Sequence, residues 1–199
     1  NWRTQPAFGE ALKRARRAGV HLLAYDCLVE KDSMMINEKV PVVLDSLDLI
    51  AQPLLVWYDA RRRILPWRED PSPYHVWLSE IMLQQTRVEA VKPYYDRFLG
   101  KLPDIESLAE VEEEQLLKLW EGLGYYNRAR NLKKSAVQIV SEYDGKMPEE
   151  YEQLLKLAGI GSYTAGAIAS IAFHKPVPAV DGNVLRILSR LRLDDRDIL

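Results

Sequence analysis

The feature that most restricts the fold of this chain is an almost continuous series of helical periods from about Asp45 onward. Apolar residues recur every three or four positions, and proline or glycine separates one period from the next. The spacing predicts helices over Leu47–Arg63, Tyr74–Gln84, Arg87–Leu99, Ile105–Ala109, Glu113–Trp120, Tyr126–Tyr143, Tyr151–Leu157, Ser162–Phe173 and Asn183–Leu191. We therefore expect a mainly α fold, with an all-helical domain over residues 45–199.

Composition and charge exclude several classes of protein. Hydrophobic residues make up 47% of the sequence and the net charge is -2, which is typical of a globular chain. No apolar run approaches the roughly 20 residues that a membrane span requires. The single cysteine, Cys27, excludes internal disulfides, and His21, His75 and His174 lack metal-ligand spacing. We expect a cytoplasmic protein with no membrane contact and no metal.

Positive charge is segregated along the chain. Lysine and arginine cluster at 61–63, 128–134 and 186–192, whereas acids collect at 104–114. Such runs are usually solvated helix faces. They indicate a polyanionic partner only if the basic clusters converge in space.

The most informative local motif is LLKLAGIGSYTAGAIASIA, residues 154–172. An apolar helix ends at Gly159-Ile160-Gly161, and a helix rich in small residues begins at Ser162. Glycines allow close approach of a ligand to the backbone, and free amides at a helix start attract phosphate. A nucleotide-binding glycine loop is excluded, because position 164 is threonine and a helix precedes the turn. Two interpretations stay open: a helix-hairpin-helix that grips a DNA backbone, and a tight corner between packed helices.

Glu80 and Asp181 are the two acids with the most informative surroundings. Glu80 lies within the apolar stretch WLSEIMLQQT (77–86). Most helical glutamates are solvated, but if this one is covered, desolvation raises its pKa and it keeps its proton nearer neutrality. Asp181, in VPAVDGNVLRILSRL (177–191), is either a helix N-cap or a carboxylate held charged by backbone amides. A protonated acid and an anion are the pair that glycosidic bond cleavage requires.

WEGLGYYNRARNL, residues 120–132, places tyrosines on a glycine-bounded turn. Gly122 and Gly124 bracket the turn, Tyr125 and Tyr126 occupy its tip, and arginines follow. An aromatic side chain beside cations can wedge between bases while the cations hold phosphates. A capped helix start with a tyrosine packed on the core explains the same residues equally well, so both interpretations stay open.

Five motifs, in this order, resemble those of the MutY-type adenine DNA glycosylases of the helix-hairpin-helix superfamily. They are LPWR (Leu65–Arg68), PYHVWLSEIMLQQT (Pro73–Thr86), WEGLGYYNRARNL, LAGIGSYTAGAIASIAF (Leu157–Phe173) and AVDGNVLRILSRL (Ala179–Leu191). The likeness covers residues 47–193. It implies a six-helix glycosylase domain with an incomplete second domain. It also implies a nucleoid-associated monomer whose partner is double-stranded DNA, from which adenine mispaired with 8-oxoguanine or guanine is removed.

The resemblance also implies roles for individual residues. Glu80 matches the acid that protonates the flipped adenine, Asp181 matches the aspartate that stabilises the sugar cation, and Asn183 matches its support. Tyr163 stands where the related endonuclease III enzymes have a lysine that attacks the sugar. Tyrosine cannot form a Schiff base, so a monofunctional hydrolase is expected. The other matched positions are DNA-contacting Gln85, Thr86, Tyr125, Gly159, Gly161 and Ser162, and base-pocket Leu65, Trp67 and Arg68.

Cofactors are expected to be few in this chain. The family's 4Fe-4S cluster is held by four cysteines, which we expect beyond Leu199 together with the second domain that inspects 8-oxoguanine. The carbonyls of the Gly159–Gly161 turn can hold a monovalent cation in this superfamily.

Because the cluster and the second domain are expected beyond Leu199, we expect weak or no turnover from the chain as it stands. An endonuclease III-like glycosylase/lyase and a non-catalytic DNA-binding fragment are the alternatives.

Residues 1–44 differ from the rest of the chain. A helix over 7–18 followed by two strands, VHLLAYDCLVE and KVPVVL, predicts an α/β tail too small to fold alone. Residues 8–44 resemble the C-terminal end of the sugar fermentation stimulation protein family. Only that family's tail is present, so no activity is transferred from it. Such a join is expected from a fusion of neighbouring reading frames or a fragmentary gene model.

Overall fold

The structure, a computed structural model, describes residues 48–192. Within this range the chain forms α-helices and one π-helical segment, and no strand. The elements are α1 (Asp48–Arg61), α2 (Pro66–Glu69), α3 (Pro73–Leu83), α4 (Val88–Leu99), α5 (Ile105–Glu110), α6 (Glu113–Trp120), α7 (Asn127–Tyr143), α8 (Tyr151–Leu154), α9 (Ser162–Ala167), the π-helical segment (Ile168–Ala172) and α10 (Gly182–Arg192). The expected mainly α fold is confirmed for these residues, and the tail predicted over 1–44 lies outside them.

Helix α3 is the central element of the core. It begins at Pro73, where the fixed φ of proline suits the first helical position, and the Ser72 hydroxyl accepts a hydrogen bond from the His75 amide. Seven of its eleven residues are buried, and it packs against α2, α4, α7, α9 and the π-helical segment. Trp77 and Met82 are fully buried. Any polar residue on α3 is therefore held by packing on several sides.

Two of the predicted helices end three or more residues earlier than expected. The first helix of the hairpin stops at Leu154 instead of Leu157, because the Lys156 and Leu157 amides bond carbonyls three residues back, not four. The second stops at Ala167, and residues up to Ala172 continue with the wider π-helical pattern. The short helix α2 was not predicted. None of the helices in the described part of the chain is long and apolar enough to cross a membrane.

Candidate active site

Glu80 projects from α3 and is only partly exposed, between the buried Ser79 and Ile81. Burial raises its pKa, and the negative charge of Asp181 raises it further. A hydrogen bond with Tyr163 and the positive charge of Arg68 offset part of that rise. The surroundings of Glu80 therefore match those of an acid that keeps its proton at a higher pH than a solvated glutamate does.

Tyr163 faces Glu80 from the first turn of α9. Burial, followed by the negative charge of Glu80 and by hydrogen bonding with its carboxyl group, raises the pKa of the Tyr163 phenol. The hydroxyl therefore stays protonated and is a donor for the carboxylate.

Asp181 is held at the start of α10 by two hydrogen bonds. The Val184 amide donates to its Oδ1 at 2.8 Å, and Asn183 Nδ2 donates to its Oδ2 at 2.8 Å. Asn183 Oδ1 in turn accepts from Arg186 Nη2 at 2.9 Å. The N-cap and the fixed carboxylate were alternative interpretations of the sequence, and here the capping bond is what fixes the carboxylate. One backbone amide does so, not several.

The segment before Asp181 runs directly against α9 at Gly166. An added Cβ at Gly166 would overlap the Pro178 carbonyl oxygen and lie 3.1 Å from Ala179 Cα. A glycine is therefore required for the backbone that carries Asp181 to pass this close to the helix that carries Tyr163. The small residues of α9 are visible in the sequence, but this contact is not, since nothing in the spacing shows which segment returns to α9.

The three expected base-pocket residues divide into two groups. Leu65 and Trp67 are buried in the hydrophobic core, and the Trp67 ring contacts the edge of Tyr95 at a centroid distance of 5.2 Å. Arg68 is exposed, and its charge reaches Glu80. The positions of Leu65 and Trp67 are compatible with the wall of a pocket, and their contact with adenine stays a prediction.

Gln85 and Tyr125 lie on two neighbouring loops with left-handed backbones. Their φ angles are 55° and 48°, and both side chains are exposed. They line one groove of about 310 Å³, which Glu80 does not line. The remaining lining residues of the groove are Gln84, Tyr126, Asn127 and Arg128. We call the loops at 84–86 and 122–126 the two wedge loops.

Thr86 is partly buried and does not face solvent as Gln85 does. Its hydroxyl donates to the Gln84 carbonyl at 3.2 Å. In the hairpin, by contrast, Gly159, Gly161 and Ser162 are all exposed, as a phosphate contact requires. Contact of these four residues with DNA stays a prediction.

The hairpin is packed against α7. Gly159 has a φ of 74°, and an added Cβ there would lie 2.8 Å from Asn131 Cβ. The Ser135 hydroxyl donates to the Ala158 carbonyl at 2.7 Å. One helix therefore supports the glycine turn that the sequence predicts to grip phosphate.

The basic cluster at 128–134 is not a uniform phosphate-binding face. Arg128 points inward to backbone carbonyls, and Arg130 pairs with Glu113 at 2.8 Å. The inward role of Arg128 could not be predicted from the sequence, because an arginine that follows a turn with tyrosines is typical of a phosphate-binding cation.

The side chains of the described residues do not fit a metal centre. No group of three or more histidines, cysteines or acids able to hold a metal occurs among residues 48–192. A four-thiolate iron–sulfur site cannot be built from a sequence with one cysteine. A monovalent cation at the carbonyls of the Gly159–Gly161 turn stays a prediction.

Comparison with known proteins agrees with this geometry. The family model for the HhH-GPD superfamily of base excision DNA repair proteins matches residues 78–198. The chain belongs to this superfamily.

Three individual proteins show how close the likeness is. The adenine DNA glycosylase of Mus musculus is 49% identical over 148 residues, which cover 70% of this chain and 29% of that protein. A thermostable thymine-DNA glycosylase superposes with a TM-score of 0.67 at 31% identity, over 71% of this chain and 65% of its own. A trapped covalent intermediate of endonuclease III with DNA gives 0.66 at 26% identity, over 77% and 73%. The chain spans 27% to 41% of the curated adenine DNA glycosylases that it matches.

Proposed function

We propose that this chain carries the catalytic residues of an adenine DNA glycosylase, which hydrolyses the N-glycosidic bond of adenine mispaired with 8-oxoguanine or guanine in double-stranded DNA. The observation that carries the proposal is the cluster of Glu80, Tyr163 and Asp181. Glu80 on α3 is an acid with a raised pKa, and Asp181 at the start of α10 is a second carboxylate, which accepts a hydrogen bond from the Val184 amide. The two groups are close enough for the charge of Asp181 to raise the pKa of Glu80. Relatives named adenine DNA glycosylase, at up to 49% identity, support the choice of base.

The two carboxyl groups perform different parts of the reaction. Glu80, protonated, donates its proton to a ring nitrogen of the extruded adenine, so that the base leaves with the electrons of the broken C–N bond. Asp181, charged, stabilises the oxocarbenium ion that remains on the sugar. Water then adds to the sugar carbon and its proton passes to the carboxylate of Glu80. Tyr163 holds that carboxyl group in place.

The deciding experiment compares this chain with Glu80→Gln under single-turnover conditions, with protein in excess so that slow release is measured. The substrates are duplexes with adenine opposite 8-oxoguanine or guanine, and a duplex with an A·T pair. We expect slow adenine release from the mispairs only. Glu80→Gln should be slower by about 10²–10⁴-fold, the usual contribution of a general acid, with DNA affinity nearly unchanged.

A matched control is Glu89→Gln, which removes an exposed glutamate that pairs only with Lys92 on the surface. It should release adenine at the parent rate. Equal rates for Glu80→Gln and the parent would overturn the assignment of Glu80. DNA binding with no base release at all would favour the alternative of a non-catalytic DNA-binding fragment.

We also propose that the reaction uses water and no enzyme amine. The residue beside Glu80 is Tyr163, and a phenol cannot form the Schiff base through which a glycosylase/lyase acts. Borohydride treatment during the reaction should therefore leave no covalent protein–DNA adduct. A trapped adduct that forms in the parent would establish the endonuclease III-like alternative.

A further inference from the structure

Arg128 is turned into the protein at the start of α7. Its Nη1 donates to the carbonyl oxygens of Ile81 at 2.9 Å, Met82 at 3.0 Å and Gln84 at 2.6 Å. These carbonyls lie at the end of α3, where intrahelical amide partners run out, and the Ile81 carbonyl also accepts a long bond from the Gln84 amide at 3.4 Å. A cation at this end of a helix is also favoured by the helix dipole. Arg128 thus caps the C-terminal end of α3, the helix that carries Glu80.

The other arm of the same guanidinium binds the second wedge loop. Nη2 donates to the carbonyl oxygens of Leu123 at 3.1 Å and Gly124 at 3.2 Å. The guanidinium carbon also lies 5.5 Å from the ring centroid of Tyr125 and 5.4 Å from that of Trp120. A single side chain therefore bonds both wedge loops, whose residues Gln85 and Tyr125 lie 40 positions apart in the sequence.

Each wedge loop contains one residue in a backbone conformation that ordinary residues avoid. Gln85 and Tyr125 have φ angles of 55° and 48°. A non-glycine residue in this region is strained, and it persists only where its surroundings fix it. The carbonyls to which Arg128 donates include those of Gln84 and Gly124, the residues immediately before the two strained positions.

We propose that Arg128 is a positioning residue that joins the two wedge loops into one rigid unit, so that Gln85 and Tyr125 are presented to the DNA together. The use of this unit for DNA rests on the proposed function, whereas the coupling of the loops does not. Only a planar, forked guanidinium reaches both sets of carbonyls at once, and lysine supplies one point charge in its place.

Amide hydrogen exchange on the full chain tests the coupling directly. The reporters are the Thr86 amide, bonded to the Leu83 carbonyl at 3.2 Å, and the Leu123 amide, bonded to the Trp120 carbonyl at 3.0 Å. In Arg128→Lys and Arg128→Met we expect exchange in both loops to become faster by about tenfold or more, since charge-assisted bonds are lost on each side. The Ile160 amide of the hairpin should not change.

The matched control is Arg130→Lys, which alters an arginine on the same helix whose partner is Glu113 on the surface. It should leave both loops at the parent rate. Faster exchange in only one wedge loop, or in neither, overturns the proposal. Faster exchange at Ile160 as well overturns it too, because the effect would then be general loosening of the fold.

A binding measurement connects the coupling to function. The affinity of each variant is measured for a mispaired and a matched duplex by fluorescence anisotropy. Arg128→Lys should lose about tenfold in preference for the mispair while its affinity for matched DNA is kept. An unchanged preference overturns the positioning role. A parent chain that releases no adenine counts against the proposed function and leaves the exchange result standing.

Discussion

Glu80 has two features that are unusual for a glutamate on a helix, and both disfavour its charged form. It is enclosed among core residues, which disfavours the charged carboxylate, and it lies near a second acid, Asp181. The sequence shows the first property, because Glu80 stands within an apolar stretch. It does not show the second, since Tyr163 and Asp181 reach Glu80 only after the chain has folded back through α9 and α10.

Tyr163→Phe should move the pH dependence of base release in a defined direction. The rate falls as pH rises through the pKa of Glu80, because the acid must be protonated. Burial raises that pKa and the hydrogen bond from Tyr163 lowers it. Phenylalanine keeps the burial and removes the bond, so the alkaline limit of activity should move to higher pH, with less than about a tenfold change in the maximum rate.

The measurement is the single-turnover rate of adenine release between about pH 5 and pH 9, with Tyr143→Phe on α7 as the control. A shift of the alkaline limit to lower pH would contradict the argument, because it would mean that loss of the hydroxyl had admitted water to Glu80.

At the scale of elements, the path of the chain decides the site. Small residues at 165–167 predict close packing of α9, and the structure has that packing, with Ala165, Gly166 and Ala167 all buried. The partner could not be predicted. It is the extended segment that includes Pro178 and Ala179, and the spacing of a sequence does not say which distant backbone returns. The same limit applies to Arg128, whose positive charge could be seen but whose carbonyl partners could not.

Gly166→Ala should reduce catalysis more than it reduces DNA binding. The added methyl overlaps the Pro178 carbonyl, so either α9 or the segment leading to Asp181 has to move. A displacement of about 1 Å can cost about a hundredfold in rate. Overpacking of this kind also costs about 1–3 kcal/mol of stability.

Single-turnover rates, DNA affinity and the melting temperature separate these effects. The control is Gly182→Ala, which is next to Asp181 but places its Cβ in open space. We expect Gly182→Ala to behave as the parent does. A Gly166→Ala protein with the parent rate would show that the backbone contact does not set the position of Asp181.

At the scale of the whole molecule, charge is paired locally more than the sequence suggests. Within residues 48–192, Arg130 pairs with Glu113 and Lys175 with Glu149 and Glu150. These pairs are exposed and each contributes little stability. These pairs reduce the number of cations that are free to bind phosphate, which agrees with the net charge of -2. They favour the proposed binding of DNA through a few defined contacts.

The hydrophobic core predicts that residues 45–199 fold without residues 1–44. The buried cluster runs from Leu65 to Ala169, and its largest fully buried side chains include Trp77 and Trp120. Residues 45–199 expressed alone should therefore unfold in one cooperative transition, with a melting temperature within about 3 °C of the full chain.

Thermal unfolding followed by circular dichroism and by tryptophan fluorescence would test this, with the 199-residue chain as the reference. DNA affinity should be unchanged as well, because the wedge loops, the hairpin, Glu80 and Asp181, to which we assign DNA contact and catalysis in the proposed function, all lie after residue 45. Residues 1–44 would have to be counted as part of the glycosylase domain if the shortened chain melted without a cooperative transition. Weaker DNA binding by a shortened chain that still melted cooperatively would assign part of the DNA surface to the tail.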